Sequence, residues 1–144
     1  MEEIWKLKCK IDLRNLRKNE AAIKSLPEDI AMERQRMTSI KSAASGSIPV
    51  SGGGNRYEDR LNNSICLIDM LTDNLYFAEK EVDLLHKAFE LLTKEEQHLL
   101  ISMYVDRQKD AISRLCEELF CDERTVWRKV SQALESYCRA RYGC

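Results

Sequence analysis

Residues 61–92 read LNNSICLIDMLTDNLYFAEKEVDLLHKAFELL, and a single apolar pattern runs through them. Leu61, Ile68, Leu75, Val82 and Phe89 recur every seven residues, with Leu71, Ala78, Leu85 and Leu92 at the d positions between and after them. A seven-residue repeat keeps its apolar stripe on one side of a helix, so it predicts a long helix with a coiled-coil seam. Asn55 followed by Glu58 has the spacing of a capping box, which puts the helix start near Arg56 and its end near Glu90.

A second, less clean seam precedes it. Leu16, Ile23, Ile30 and Met37 repeat at the same period, with Leu26 and Ile40 three positions after the second and fourth. Ser25-Leu26-Pro27-Glu28 predicts a kink or short break in this arm, because proline removes an amide and crowds the preceding turn. Gly46, Gly52, Gly53, Gly54 and Pro49 fall between Ser42 and Asn55, which reads as a flexible linker over 42–55. Gly52-Gly53-Gly54-Asn55-Arg56 lacks the Lys-Ser/Thr ending and an adjoining strand-like run, so a phosphate-binding loop is not expected there. Two helices of about 35 to 40 residues, each roughly 50 to 60 Å long at 1.5 Å rise, can then fold back on one another. The expectation for residues 1–92 is a long antiparallel helical hairpin, a coiled coil. Its flanks leave apolar surface that a homodimer through the arms would cover.

The chain has 144 residues and 16.8 kDa, room for one domain or a small domain with an extended element. Charged residues make up 33% and hydrophobic ones 44%, which excludes a membrane bundle and wholesale disorder. Lys and Arg number 23 against 24 Asp and Glu, so nucleic acid is not gripped by bulk charge, and any such binding needs local polarity. Met1-Glu2-Glu3-Ile4-Trp5-Lys6 is acidic at once, and no signal peptide, membrane span or membrane partner is expected; the default compartment is the cytoplasm. There, Cys9, Cys66, Cys116, Cys121, Cys138 and Cys144 are expected to be reduced. Cys116, Cys121, Cys138 and Cys144 would supply four ligands, but their gaps are poor zinc spacing; small buried hydrophobes are the plainer reading, with no metal and no cofactor. His86 and His98 lie in expected helices without a serine or cysteine in motif context, and no carboxylate pair stands apart, so an enzyme is not expected.

From Thr93 the period changes to short segments. Thr93 with Glu96 predicts a capping box for a helix to about Val105 that buries Leu99, Leu100, Met103 and Tyr104. Asp110 is placed to cap a second helix carrying Ile112, Leu115, Cys116 and Leu119, and Asp122 a third, after the tight connection Phe120-Cys121. The expectation for residues 93–144 is therefore a three-helix head containing a helix-turn-helix. In the third helix, over 123–139, Val126, Val130, Ala133, Leu134 and Tyr137 share one face, which turns Arg124, Trp127, Arg128, Ser131 and Gln132 elsewhere. Between Arg124 and Arg141 there are five basic residues against one acidic, Glu135, while 94–144 as a whole holds nine of each sign. Such polarisation suits a major-groove reader, with arginines for guanine edges and phosphates and an aromatic for a thymine methyl or sugar. The plainer alternative is that cations gather at the negative end of the helix dipole and that Trp127 is half buried against the second helix.

Leu115-Cys116-Glu117-Glu118-Leu119, then Cys121-Asp122-Glu123-Arg124-Thr125-Val126-Trp127-Arg128-Lys129, then Ala133-Leu134, resemble the region-four helix-turn-helix of bacterial sigma factors. The preceding arm, with Gly52-Gly53-Gly54-Asn55-Arg56 and Glu58-Asp59-Arg60-Leu61, resembles small phage-encoded transcriptional regulators of the RinA and ArpU type, and the likeness covers the chain from about residue 25 onward. That resemblance implies sequence-specific binding to double-stranded DNA at phage promoters in the host cell, with Arg124, Trp127, Arg128, Lys129 and Ser131 meeting DNA. Thr125 and Val126 match the helix-start and packing positions. Where such motifs usually carry Gly or Asn in the turn, this chain has Phe120, for which a left-handed backbone is costly. The alternative function is an interaction protein that docks on a host protein such as RNA polymerase without autonomous DNA binding, favoured by the acidic residues from Asp69 to Glu90.

Overall fold

Helix α1 spans Glu2–Arg14 and α2 spans Leu16–Ser45, so that Asn15 alone stands between them. Its backbone amide still reaches the Ile11 carbonyl at 3.0 Å, and its own carbonyl accepts from Asn19 at 2.9 Å. Asparagine competes with helical bonding through its side chain, which suits it to this one-residue interruption. The remaining elements are α3 (Gly54–Glu90), α4 (Lys94–Leu100), a π-helical turn (Ile101–Val105), α5 (Ala111–Leu119) and α6 (Glu123–Tyr142). The computed structural model describes residues 2–45 and 54–144; the chain is all-α, without a strand among the described residues.

The kink or short break expected at Ser25–Glu28 does not interrupt α2, which passes through Pro27. Pro27 is exposed, while Leu26 is half-buried and Ile30 buried on the seam side. Only one amide is lost from a long hydrogen-bond ladder held by that face. The linker expected at 42–55 is shorter on both sides, since residues 42–45 continue α2 and α3 begins at Gly54; residues 46–53 lie outside the described residues. Asn55 therefore sits inside the first turn of α3 and not before it.

Two compact units divide the chain, Met1–Asn19 with Lys80–Cys144, and Glu20–Glu79. In the second, the expected seam positions of both helices are buried or half-buried, from Ile23, Ile30 and Ile40 on α2 to Leu61, Ile68, Leu71, Leu75 and Ala78 on α3. Ser64 Oγ donates to Glu33 Oε1 at 2.9 Å with both residues buried, and Arg36 Nη1 lies 3.5 Å from the other carboxylate oxygen. The pairing satisfies a carboxylate that would otherwise be costly to keep from water.

The first unit places its boundary differently from the expected one at 92 and 93. Cys9, Leu13 and Leu16 from the amino-terminal segment and Leu85, Ala88, Phe89 and Leu92 from the end of α3 share a core with Leu99, Leu100, Met103, Leu115, Val126, Val130, Leu134 and Tyr137. Fifty residues in three short helices have little apolar surface of their own to bury, and these two further helical segments cover what they leave. Phe89 and Tyr137 meet edge to face with ring centroids 5.8 Å apart. The buried Asp12 carboxylate of α1 accepts from Lys8 Nζ at 2.9 Å and from the Tyr142 hydroxyl of α6, and Trp5 packs its ring 5.2 Å from that of Tyr142. Burial pushes the Tyr137 hydroxyl far above the usual phenol range, where it stays neutral.

The expectation of six reduced cysteines is corrected by a Cys9–Cys138 disulfide. Packing α1 on α6 brings the two Cα atoms to 6.1 Å across 129 positions of sequence, within bridging reach. The other four thiols are free, with Cys66 and Cys144 exposed.

Two predictions follow from this packing. Leu100→Ala, at a fully buried position, should lose about 2–5 kcal/mol in urea unfolding, and a loss under 1 kcal/mol would show the head core to be loosely packed. Removing the disulfide by reductant or by Cys9→Ser should lower the melting temperature, because the bond closes a long loop of chain and restricts the unfolded state.

Candidate nucleic-acid interface

Helix α4 opens with the expected capping box. The Glu96 amide donates to Thr93 Oγ1 at 3.2 Å, and the Thr93 amide donates to Glu96 Oε2 at 3.1 Å. Gln97 Nε2 donates back to the Phe89 and Leu92 carbonyls at 2.6 and 3.3 Å, covering acceptors that the end of α3 leaves open. Leu99, Leu100, Met103 and Tyr104 are buried as expected.

The cap expected from Asp110 is not made. Its backbone, at φ −110° and ψ 28°, is not extended, and its carboxylate instead accepts from Arg114 Nε at 3.1 Å one turn along α5. Arg114 also donates to the Gln108 side chain. Arg17, at the start of α2, clamps the Asp106 carboxylate with Nε and Nη2 at 2.8 and 2.6 Å, which holds that carboxyl below its ordinary value. The connection entering α5 is thus tied to residues 89 positions away.

Helix α5 ends at Phe120, whose amide donates to the Cys116 carbonyl while its backbone turns left-handed at φ 52° and ψ 42°. The chain then straightens at Asp122, and its carboxylate accepts from the Thr125 amide at 3.0 Å, the cap expected for α6. The start of α6 is therefore set by one side chain, while its rotation is set by burial. Val126, Val130, Ala133, Leu134 and Tyr137 are all at most 2% exposed.

That burial turns Arg124, Arg128, Ser131 and Gln132 to water, with Trp127 at 42% exposure on the edge of the same face. Lys129 is placed differently from these. It is half-buried on the flank of α6, with Nζ 2.8 Å from Glu95 Oε1 of α4, and the hydrogen bond to Glu95 raises its pKa. Arg141 is also drawn away, its guanidinium 3.8 Å from Glu81 of α3 and 4.6 Å above the Tyr142 ring. Glu135 pairs with Lys6 of α1 at 3.1 Å. Of the five basic residues counted from the sequence, Arg124, Arg128 and Arg139 are exposed and have no ion-pair partner among the described residues. The tertiary contacts with Glu95 and Glu81 were invisible in a linear charge count. Exposed Arg107 and Lys109, in the connection before α5, add positive charge outside α6.

A cavity of about 280 Å³ opens between α4 and α5, lined by Ser102, Asp106, Arg114 and the pair His98 Nε2 to Glu118 Oε2 at 2.6 Å. Among the described residues, no group of three or more His, Cys, Asp or Glu is arranged to hold a metal ion, and no helix is long and apolar enough to cross a membrane. No protein-family model matches the chain, and no curated protein or solved structure matches it either.

Hydrogen bonds from Thr125, helped by the nearby Arg128 guanidinium, hold the Asp122 carboxyl below its ordinary value. A carboxyl lowered on folding contributes stability above its unfolded-state value and loses that contribution as pH falls through the native one. Asp122→Asn should therefore melt below the wild type at pH 7, with the difference closing as pH is taken down through the carboxylate range. A difference that stays constant to pH 2 would show that the cap's charge contributes nothing.

Proposed function

We propose that this chain is a sequence-specific DNA-binding transcriptional regulator, in line with its resemblance to phage regulators with a sigma-like helix-turn-helix. In this reading α5, the Phe120-Cys121 connection and α6 act as the helix-turn-helix, and α6 enters the major groove. Arg124 and Arg128 take guanine edges or phosphates, Trp127 and Ser131 complete the base-facing surface, and Lys129 serves a phosphate. The observation that carries the reading is the rotation of α6: its fully buried face leaves Arg124, Arg128 and Ser131 together on the exposed one. The α2 and α3 seam supports an antiparallel coiled-coil hairpin, which would pair two chains and hold two heads at two half-sites. The host cytoplasm is the proposed site of action.

A second reading is an interaction protein that docks on RNA polymerase or another host protein. Exposed Met32, Met70, Tyr76 and Phe77 in the Glu20–Glu79 unit favour it, since large apolar side chains in water are what a protein partner covers. No enzymatic activity is proposed.

Selection of bound sites from random duplex DNA, followed by titration across salt, tests the first reading. Arg128→Ala should lose about 1–3 kcal/mol on the selected site and relax its preference, whereas Lys129→Ala should reduce the salt slope by about one or less, since Glu95 already faces it. Equal losses on every sequence from Arg128→Ala would refute base reading. Sedimentation at micromolar concentration should show a dimer, and a monomer there would remove the arm-pairing proposal.

A further inference from the structure

Helix α1 is apolar on two sides, and the head core takes only one of them. Cys9 and Leu13 enter that core, while Ile4, Leu7 and Ile11 remain exposed, Ile4 at 69%. Their spacing places the three on one face of the helix, which exposed Arg14 and Lys18 continue. Among the described residues from 3 to 18, Glu3 is the one exposed carboxylate. The result is an apolar stripe with a cationic border, and large apolar side chains grouped in water mark a surface that a partner covers.

The Glu20–Glu79 unit carries a face of the opposite sign. On α3, away from the seam, Met70 and Phe77 are 62% and 61% exposed, and they stand seven residues apart as Ile4 and Ile11 do. Exposed Asp69 and Asp73 flank them, and no lysine or arginine occurs between Leu61 and Glu79. Neither face suits its own kind. Two α1 stripes would bring cations together, and two α3 faces would bring carboxylates together, at a cost in each case. Each suits the other, in charge and in the spacing of its apolar side chains.

We propose that α1 of one copy docks antiparallel on the outer face of α3 in a second copy, with Ile4 on Phe77, Ile11 on Met70, and Lys10 and Arg14 toward Asp73 and Asp69; this deepens the dimer of the proposed function and rests on it. The antiparallel direction follows from which cations are available. Lys10 and Arg14, on one flank of the stripe, face no carboxylate among the described residues, whereas Lys8 on the other flank already holds Asp12 at 2.9 Å. In a two-fold dimer the contact is made twice, once by each α1, so both stripes of both copies are covered. Met70 and Phe77 then face this chain and not a host protein.

The test uses the full chain, with sedimentation across a dilution series for the dimer and far-ultraviolet circular dichroism for folding. Ile4→Glu sets a carboxylate against the acidic face and Phe77→Lys a cation against the basic one. Each variant alone should weaken the dimer at least about tenfold and keep the wild-type helicity. Mixed in equal amounts, the two should form a dimer again, because one of its contacts is then wild type and the other joins the introduced carboxylate to the introduced cation. Wild-type dimerisation by both variants overturns the proposal and leaves arm pairing standing. An effect confined to one variant shows a face pairing with its own kind, and monomers that stay monomeric on mixing show no exchange between the faces; either overturns it. Lost helicity in either variant places that side chain in the chain's own packing and overturns it as well. Lost binding to purified RNA polymerase in Phe77→Lys, with the dimer intact, gives the face to a host protein and has the same effect. A wild-type monomer at micromolar concentration removes the dimer and this contact with it, and leaves DNA binding to be decided by the duplex selection.

Discussion

The burial of one face of α6 is the constraint on which the rest of the head depends. Val126, Val130, Ala133, Leu134 and Tyr137 are removed from water by α1, α3, α4 and α5 together, and a helix so held has no freedom to rotate about its axis. Turning it by one residue would expose a core side chain and bury Arg124 or Arg128 without a partner, each at a cost of several kcal/mol. The direction in which the cations point is thus a consequence of the hydrophobic core. The Asp122 cap then sets where the helix begins, and the left-handed turn at Phe120 sets how the chain approaches that point.

Around this core the polar contacts act more as positioning devices than as sources of stability. Arg17 on Asp106, Lys129 on Glu95, Lys6 on Glu135 and Arg141 on Glu81 each join segments distant in sequence. Most of these groups are well exposed, where an ion pair is worth at most about 1 kcal/mol. Their effect on the outer surface is larger, because they decide which cations of α6 already face a carboxylate. Asp12 differs, being buried with its charge shared between Lys8 and the Tyr142 hydroxyl, so that removing either partner would leave a costly carboxylate in the α1–α6 contact.

Much of the local structure was legible in the linear order of residues. The seven-residue repeat from Leu61 to Phe89 marked a helix that ends at Glu90, and Thr93 with Glu96 marked the next start, because a period and a cap are properties of neighbouring residues. Two local signals misled. Pro27 was expected to break α2 but removes only one bond from a helix held by its seam, and Asp110 was expected to cap α5 but gives its carboxylate to Arg114. In the candidate surface, the outward positions of Arg124, Arg128 and Ser131 were readable from helical spacing, while the capture of Lys129 by Glu95 was not.

The sequence by itself determined that the chain is helical, where its seams lie, and which face of α6 is apolar, since these follow from residue spacing over a few turns. Tertiary structure alone decided that α1 and the end of α3 join the carboxy-terminal core, that Cys9 meets Cys138, and that Glu95 and Glu81 reach the basic helix. Those contacts join residues from 34 to 129 positions apart, and nothing local to either partner encodes the other. They arise because short helices with too little apolar surface of their own must recruit distant segments to exclude water.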